Sequence, residues 1–448
     1  MKIGLLPLYI QLYDEISPHV RPRMEAFYEE IATQFERKDV SVERVGFCRI
    51  KPEFEQAIAE FEQAKVDAIV TLHMAYSPSL ESIEALTATK LPIVVLDTTE
   101  TLEFTPLQDT GEVMYNHGVH GVMDMCSMLR RYGKPYAIAA GHYQQSDVID
   151  RACGYVRAAV AASALKKARV GLVGGAFKGM GDFAVEPEEL KERFNITIEK
   201  LAAEALNEYA EKVSREAVEA ELKDHNERFD FTEDVVQEDY KKAVVRCLAM
   251  RACLEEKGYT AFSANFQQVA NMPFIECCKA MERGIGYAGE GDGLTAAFTG
   301  ALLQAYPETG FVEIFCPDWK NNMVFLSHMG EVNYRTVQSK PLISPKAGST
   351  DYVGYARMKG GKGVYVNISR GKEDYQLFLA PAEMLSYESD NMPRRMRGWM
   401  RPECGSTAEF LEAHSRHGAT HHSIFVYGTT IEELSFFGQL LSMEVVVI

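Results

Sequence analysis

"KPEFEQAIAEFEQAKVDAIVTLHM", residues Lys51 to Met74, holds two periodicities in a single stretch. Phe54, Ala57, Ile58 and Phe61 return every three or four positions, the spacing of one helix face. From Ala68 onward the run turns continuously apolar, as in a strand buried on both sides. A helix that feeds directly into such a strand is the building unit of a parallel sheet covered by helices.

The same alternation runs through the first 170 or so residues. Strand-like runs stand at "KIGLLPLY", "VSVERVGF", "AIVTLHM", "PIVVLDT" and "YAIAAGH", with helical patterns such as "RPRMEAFYEEIATQFERK" between them. In sheets of this kind, ligands sit beyond the carboxyl ends of the strands. Those ends carry Tyr9, His73, Thr98 and His142, which equips this region to hold something polar. A second unit opens at "KARVGLVGG" with a long charged helical stretch, "EELKERFNITIEKLAAEALNEYAEKVSREAVEAEL", expected to be solvated. Alternation resumes at "YTAFSANF" and runs to "GFVEIFCPDW". From Asn321, short strands punctuated by Gly and Pro ("YVGYARMKGGKGVYVNIS", "DYQLFLAPAEML") predict a β-rich region with antiparallel pairing. The expected fold class is α/β, with two doubly wound parallel-sheet domains, 1–168 and 169–320, followed by a β-rich domain, 321–448. The length of 448 residues agrees with about three domains. No internal repeat or low-complexity tract is seen.

Composition excludes several classes of function. Hydrophobic residues make up 46% and charged residues 25%, the balance of a globular protein. A formal charge of −17 argues against nucleic acid or an anionic membrane surface as partner, since each calls for a basic face. Asp14 and Glu15 follow the opening apolar run at once, so no signal peptide is expected, nor any membrane span. Nine scattered cysteines without a C-x-x-C pair fit reduced thiols in the cytoplasm.

Four places in the last 160 or so residues could carry chemistry. "IGYAGEGDGLTAAF" sets Glu290 in a Gly-rich turn before a helix, and "GFVEIFCPDW" sets Glu313 inside an apolar run. "VFLSHMGE" ends a strand on His328, and "HGATHHSIFVYG" offers His421 and His422 before another. Taken singly, each has an ordinary explanation. Glu290 suits a solvated turn near a helix N-terminus, and tandem histidines suit polar surface. Glu313 either faces solvent by alternation or is buried beside a cation. Taken together, two carboxylates and two imidazoles form a mixed oxygen and nitrogen ligand set that leaves positions open on an octahedral divalent ion. Zinc also fits, though it more often takes a tetrahedral site. Such a site favours Lewis-acid polarisation of hydroxyl and carbonyl oxygens, with carboxylates handling protons.

With these tracts in view, the chain resembles the L-arabinose isomerases, within the broader L-arabinose and L-fucose isomerase group. "AGEGDG" (Ala288 to Gly293) is similar to that family's GAEGDW tract, Thr420-His421-His422-Ser423 to its paired histidines, and His328-Met329-Gly330-Glu331 to its HM-x-E tract. "LHMAYSPS" (Leu72 to Ser79), "VHGVMD" (Val119 to Asp124) and "GYTAFSANF" (Gly258 to Phe266) resemble further family segments in the same order. The resemblance implies two flavodoxin-like or Rossmann-like domains and a β-barrel. It also implies manganese held by Glu290, Glu313, His328 and His422, with Glu290 and Glu313 as the catalytic pair. The expected reaction is aldose–ketose isomerisation, L-arabinose to L-ribulose in type, through an ene-diol. Substrate contacts are implied at Gln11, Leu12, His117, His120, Met180, Phe262 and His421, and so is a homo-oligomer, trimer or hexamer, with sites completed by a neighbouring subunit. His120 has a plain alternative as a polar residue at a helix start. The L-fucose isomerases use a single histidine, so the second histidine favours the arabinose type.

The substrate-facing tracts depart from the family. Ile10-Gln11-Leu12-Tyr13 stands where the family has Gln-His-Leu-Tyr, and His117 stands where it has glutamine. Changes of that kind alter which hydroxyl pattern a site accepts, so another pentose, hexose or modified sugar stays open. Two other classes of function also stay open. One is a non-catalytic sugar-binding or sensor protein, because fold does not imply function. The other is a metal-dependent hydrolase, although the chain lacks an H-E-x-x-H motif.

Overall fold

The structure, a computed structural model, describes residues Met1–Ile448 and divides into two compact units, Met1–Val160 and Ala161–Ile448. No helix is long and apolar enough to cross a membrane.

The first unit is a five-stranded parallel sheet. Its strands are Lys2–Leu8, Ser41–Arg44, Ala68–His73, Ile93–Asp97 and Tyr136–Ala140, in spatial order second, first, third, fourth, fifth. That order reverses direction between the first and third strands, where the register pairs Leu8 with His73. Helix Lys51–Gln63 buries Phe54, Ala57, Ile58 and Phe61, the residues its periodicity marks. They pack on Leu6, Leu8 and Ile69 of the sheet, with Val122 and Met125 from helix Val119–Arg131.

The second unit opens with a four-stranded parallel sheet, Gly286–Gly289, Ala261–Ala264, Arg169–Val173 and Thr197–Leu201 in that spatial order. A closed antiparallel barrel follows, in which Thr309–Asp318, Met323–Ser327, Gly398–Pro402, Tyr375–Met384, Gly361–Arg370 and His422–Tyr427 each pair with the next, and the last with the first. Strand Glu444–Val447 joins outside the ring, parallel to Tyr375–Met384.

Two features differ from the sequence reading. The run "GFVEIFCPDW", read as part of the alternating region, is the first barrel strand, so the barrel begins at Thr309. The charged stretch expected to be solvated also supplies the parallel strand Thr197–Leu201, and its helix Arg215–Arg228 buries Glu221 and His225. Those two side chains lie in an ion network: Glu221 accepts from both Arg251 and Lys279, and His225 is fully buried between Glu221 and Tyr240. Burial without partners would cost such charges several kcal/mol each; here every one is paired. Helix Gln237–Lys257, through Tyr240, Val244 and Cys247, shares one apolar core with Tyr365, Phe378 and Phe425 of the barrel.

Candidate metal centre

Strand pairing alone brings three of the candidate residues together. Thr309–Asp318 lies between Met323–Ser327 and His422–Tyr427, with Glu313 level with both Ser327 and His422. His328 follows Ser327 directly, so three adjacent strands deliver Glu313, His328 and His422 to one rim of the barrel. A bulge between Ile314 and Cys316 breaks the register just beyond Glu313. Bulges commonly re-aim side chains beside functional sites.

Glu290 arrives from the parallel sheet, one residue past the end of Gly286–Gly289, where ligands of such sheets sit. It is a non-glycine residue with φ of 65°, a strained conformation that persists only when its surroundings hold it. Its neighbours show what holds it. A Cβ on Gly289 would lie 2.7 Å from the His328 ring, and one on Gly291, whose φ is 91°, would lie 2.3 Å from Ala176 Cα. Ser263 Oγ accepts from the Gly291 N–H at 2.8 Å, and the Phe177 N–H donates to the Glu290 carbonyl at 2.8 Å.

The atoms left facing one another are potential ligand atoms. His328 Nε2 lies 3.7 Å from Glu313 Oε2, and His422 Nε2 lies 3.6 Å from Glu290 Oε2. Glu313, His328 and His422 form one cluster of potential ligand atoms, and Glu290, His421 and His422 form another, with His422 in both. Each imidazole is oriented from behind. His328 Nδ1 donates to Glu331 at 2.7 Å, and Tyr287 Oη donates to the other Glu331 oxygen at 2.9 Å. His422 Nδ1 donates to Asp292 at 3.0 Å, and the other Asp292 oxygen caps helix Gly293–Leu303 at Thr295 N–H. A carboxylate can only accept, so Nδ1 carries the proton and the Nε2 lone pair points into the site. His422 Nε2 is buried and has no hydrogen-bond partner. An orphaned buried nitrogen aimed at two carboxylates is costly unless something cationic occupies the space between them, and the donor set fits a divalent ion.

The electrostatics agree. Burial pushes Glu290 toward neutrality, but the His421 and His422 imidazoles outweigh it and hold its carboxyl at about 2. Burial dominates at Glu313 and raises it above the ordinary carboxylate range despite three nearby histidines. At His422, burial opposes the charged form, yet Asp292 and Glu290 raise it to about 9; between these carboxylates a proton stands in for a cation. Fully buried Glu331 is held ionised against its desolvation by His328.

The remaining expected site residues lie in several places. Gln11 and exposed Leu12 begin helix Gln11–Ile16 of the first unit, which buries no residue. In that unit His117 Nε2 lies 2.8 Å from Tyr13 Oη, and the His120 ring is 6.0 Å from that of His117. Met180 is half-buried in the segment after strand Arg169–Val173. Phe262 is fully buried, a packing position against the Tyr287 ring rather than a surface open to a substrate. His421 stands beside Glu290, its Nε2 3.8 Å from Oε2. Sequence reasoning did not assign Asp292, Glu331, Tyr287 or Asp182. Glu331, three residues after His328, and Asp292, directly before an apolar helix, had local signals; Asp182, 239 positions from His421, had none.

The profile of the L-arabinose isomerase central domain matches residues 184–305. L-arabinose isomerase 2 of Bacillus licheniformis is 24% identical over 409 residues, 86% of this chain and 85% of its own. The L-arabinose isomerase of Halalkalibacterium halodurans is 28% identical over 411 residues, 85% of this chain and 80% of its own. That of Aeromonas hydrophila is 24% identical over 414 residues, 87% and 82%. The likeness to these relatives covers more than four fifths of this chain, and it supports an enzyme of the isomerase class similar to the L-arabinose isomerases.

Proposed function

We propose that the protein is a manganese-dependent aldose–ketose isomerase acting on a free sugar, with L-arabinose to L-ribulose as the leading reaction. The observation that carries this reading is the convergence of Glu290, Glu313, His328 and His422 around the orphaned His422 Nε2. These four residues would hold the ion. A bound divalent ion supplies Lewis-acid polarisation of the sugar's O1 and O2, which makes the proton on C2 more acidic. Glu290 and Glu313, two carboxylates in unlike environments, divide the proton handling: one takes the C2 proton while the other gives a proton to O1, and an ene-diol forms as C1–C2 gains double-bond character. The first then returns its proton to C1 while the second takes the proton from O2, giving the ketose with both carboxyl groups restored. Glu331 and Asp292 keep the two ligand imidazoles in the tautomer that leaves Nε2 unprotonated.

We place the enzyme in the cytoplasm, a setting that suits its nine free cysteines. We also propose a homo-oligomer; Leu12, Ile16, Leu102, Phe104 and Leu107 of the first unit are exposed apolar residues that a second copy would cover. The deciding experiment is ketose formation from a panel of aldoses, using chelator-stripped protein before and after addition of Mn²⁺. Metal-restored conversion supports the reading, and the preferred sugar identifies the substrate. No conversion of any aldose by Mn²⁺-loaded protein overturns it.

A further inference from the structure

Between strand Arg169–Val173 and helix Pro187–Phe194, the chain crosses over the ligand set, and two adjacent residues of this segment meet the two adjacent histidines. The Phe183 ring lies flat against His422, centroids 5.0 Å apart and planes within 10°. The Asp182 carboxylate oxygen accepts twice from His421, from its backbone N–H at 2.9 Å and from Nδ1 at 2.6 Å. One carboxylate thus pins both the main chain and the ring of that residue.

In hydrogen bonding the tandem histidines look alike. Each gives Nδ1 to an aspartate and turns Nε2 toward Glu290 Oε2, at 3.8 Å from His421 and 3.6 Å from His422. Their surroundings separate them. His422 and its partner Asp292 have no exposed side-chain surface, and Asp292 is fixed as a helix cap. The side chains of His421 and Asp182 are 31% and 38% exposed. A permanent ligand belongs where its position is fixed and water is excluded, whereas a group that meets an incoming molecule must be reachable from solvent.

Resting on the isomerase reading above, we infer that Asp182 is a positioning residue for substrate. It fixes the His421 ring so that Nε2 faces the open side of the site as a hydrogen-bond partner for a hydroxyl of the open-chain sugar, and it leaves the ion to His422. Without that carboxylate the ring is free to rotate, and binding a sugar must order it each time.

The test uses Mn²⁺-loaded full-length protein and calorimetric titration with L-arabitol, ribitol and galactitol, open-chain polyols that have hydroxyls but no carbonyl to isomerise. Mn²⁺ affinity is measured separately. Asp182→Ala weakens polyol binding about tenfold and leaves Mn²⁺ affinity unchanged. Asp182→Asn retains most of the affinity, because an amide oxygen still accepts from the N–H and Nδ1. The double variant Asp182→Ala/His421→Ala binds no worse than His421→Ala alone, as residues acting through one another must. In turnover, Asp182→Ala raises KM more than it lowers kcat. Unchanged polyol affinity, or additive losses in the double variant, overturns the role of Asp182. Loss of Mn²⁺ affinity in step with polyol affinity overturns it too, by making His421 a ligand. Wild-type protein that binds Mn²⁺ but none of the polyols removes the sugar reading itself, a result distinct from the others.

Discussion

His73 closes strand Ala68–His73 in the first unit, and His328 follows strand Met323–Ser327 in the second; both are 5% exposed. Their hydrogen bonding is opposite. Neither ring nitrogen of His73 has a partner, and the ring packs where a Cβ on Gly121 would lie 2.3 Å from its Cδ2. His328 is tied through Nδ1 to Glu331, which is itself tied to Tyr287. A histidine at a strand end is therefore not a ligand by position. It becomes a candidate when a carboxylate behind it fixes tautomer and ring, and when other potential ligand atoms meet its free nitrogen.

The comparison is broken most directly at the carboxylates the histidines face. Glu313→Gln removes a proton acceptor while keeping shape, and turnover is expected to fall by roughly a hundredfold to ten-thousandfold with an unchanged circular dichroism spectrum. Substantial remaining isomerase activity would rule out a proton-handling role. The tandem histidines come next. His422→Asn should weaken Mn²⁺ binding by roughly a hundredfold or more, since it removes a nitrogen with no other partner, and His421→Asn should change it little. Equal losses in a Mn²⁺ titration of the two variants would contradict the assignment of His422 as the ligand. Glu331→Gln sharpens the comparison further. An amide can present N–H to His328 Nδ1 and so favour the wrong tautomer, at an expected cost of about tenfold to a hundredfold in Mn²⁺ affinity. His73→Gln should leave that affinity untouched.

Much of this was legible in the sequence because it is local. The five strands of the first unit stand where the apolar runs mark them. The candidate ligands stand out because an acidic residue inside "GFVEIFCPDW" and a histidine ending "VFLSH" break their own patterns. What sequence could not show is long-range pairing. Asn367, fully buried, donates to Thr420 and His422 carbonyl oxygens and accepts from the Thr420 N–H, clamping the tandem-histidine turn. Nothing in "GVYVNIS" announces that. The charged helices looked solvated for the same reason: Glu221 has partners 30 and 58 positions away, and a charge pattern read along the chain cannot see them. The carboxylates of the candidate centre were readable, whereas most of the residues that orient the imidazoles were not.

The smallest effect tests His73 itself. Burial drives its imidazole down to about 3, with Asp124 opposing only in part, against an ordinary value near 6.5. Above about pH 6.5 the folded and unfolded chains both carry it neutral, and it exerts no pH-dependent pull. As pH falls below that, the unfolded chain takes up a proton that the folded chain refuses, so stability declines until the folded imidazole charges near 3. At pH 5.5 the loss from this one residue is about 1 kcal/mol. Urea unfolding at pH 7 and 5.5 should therefore show a pH dependence that His73→Gln flattens by that amount. Histidine C2 hydrogen exchange read by mass spectrometry should separately find His73 titrating well below 6.5. A His73 that titrates near 6.5 would mean that water or a ligand reaches the ring, and the contrast with His328 would then rest on the orienting carboxylate alone.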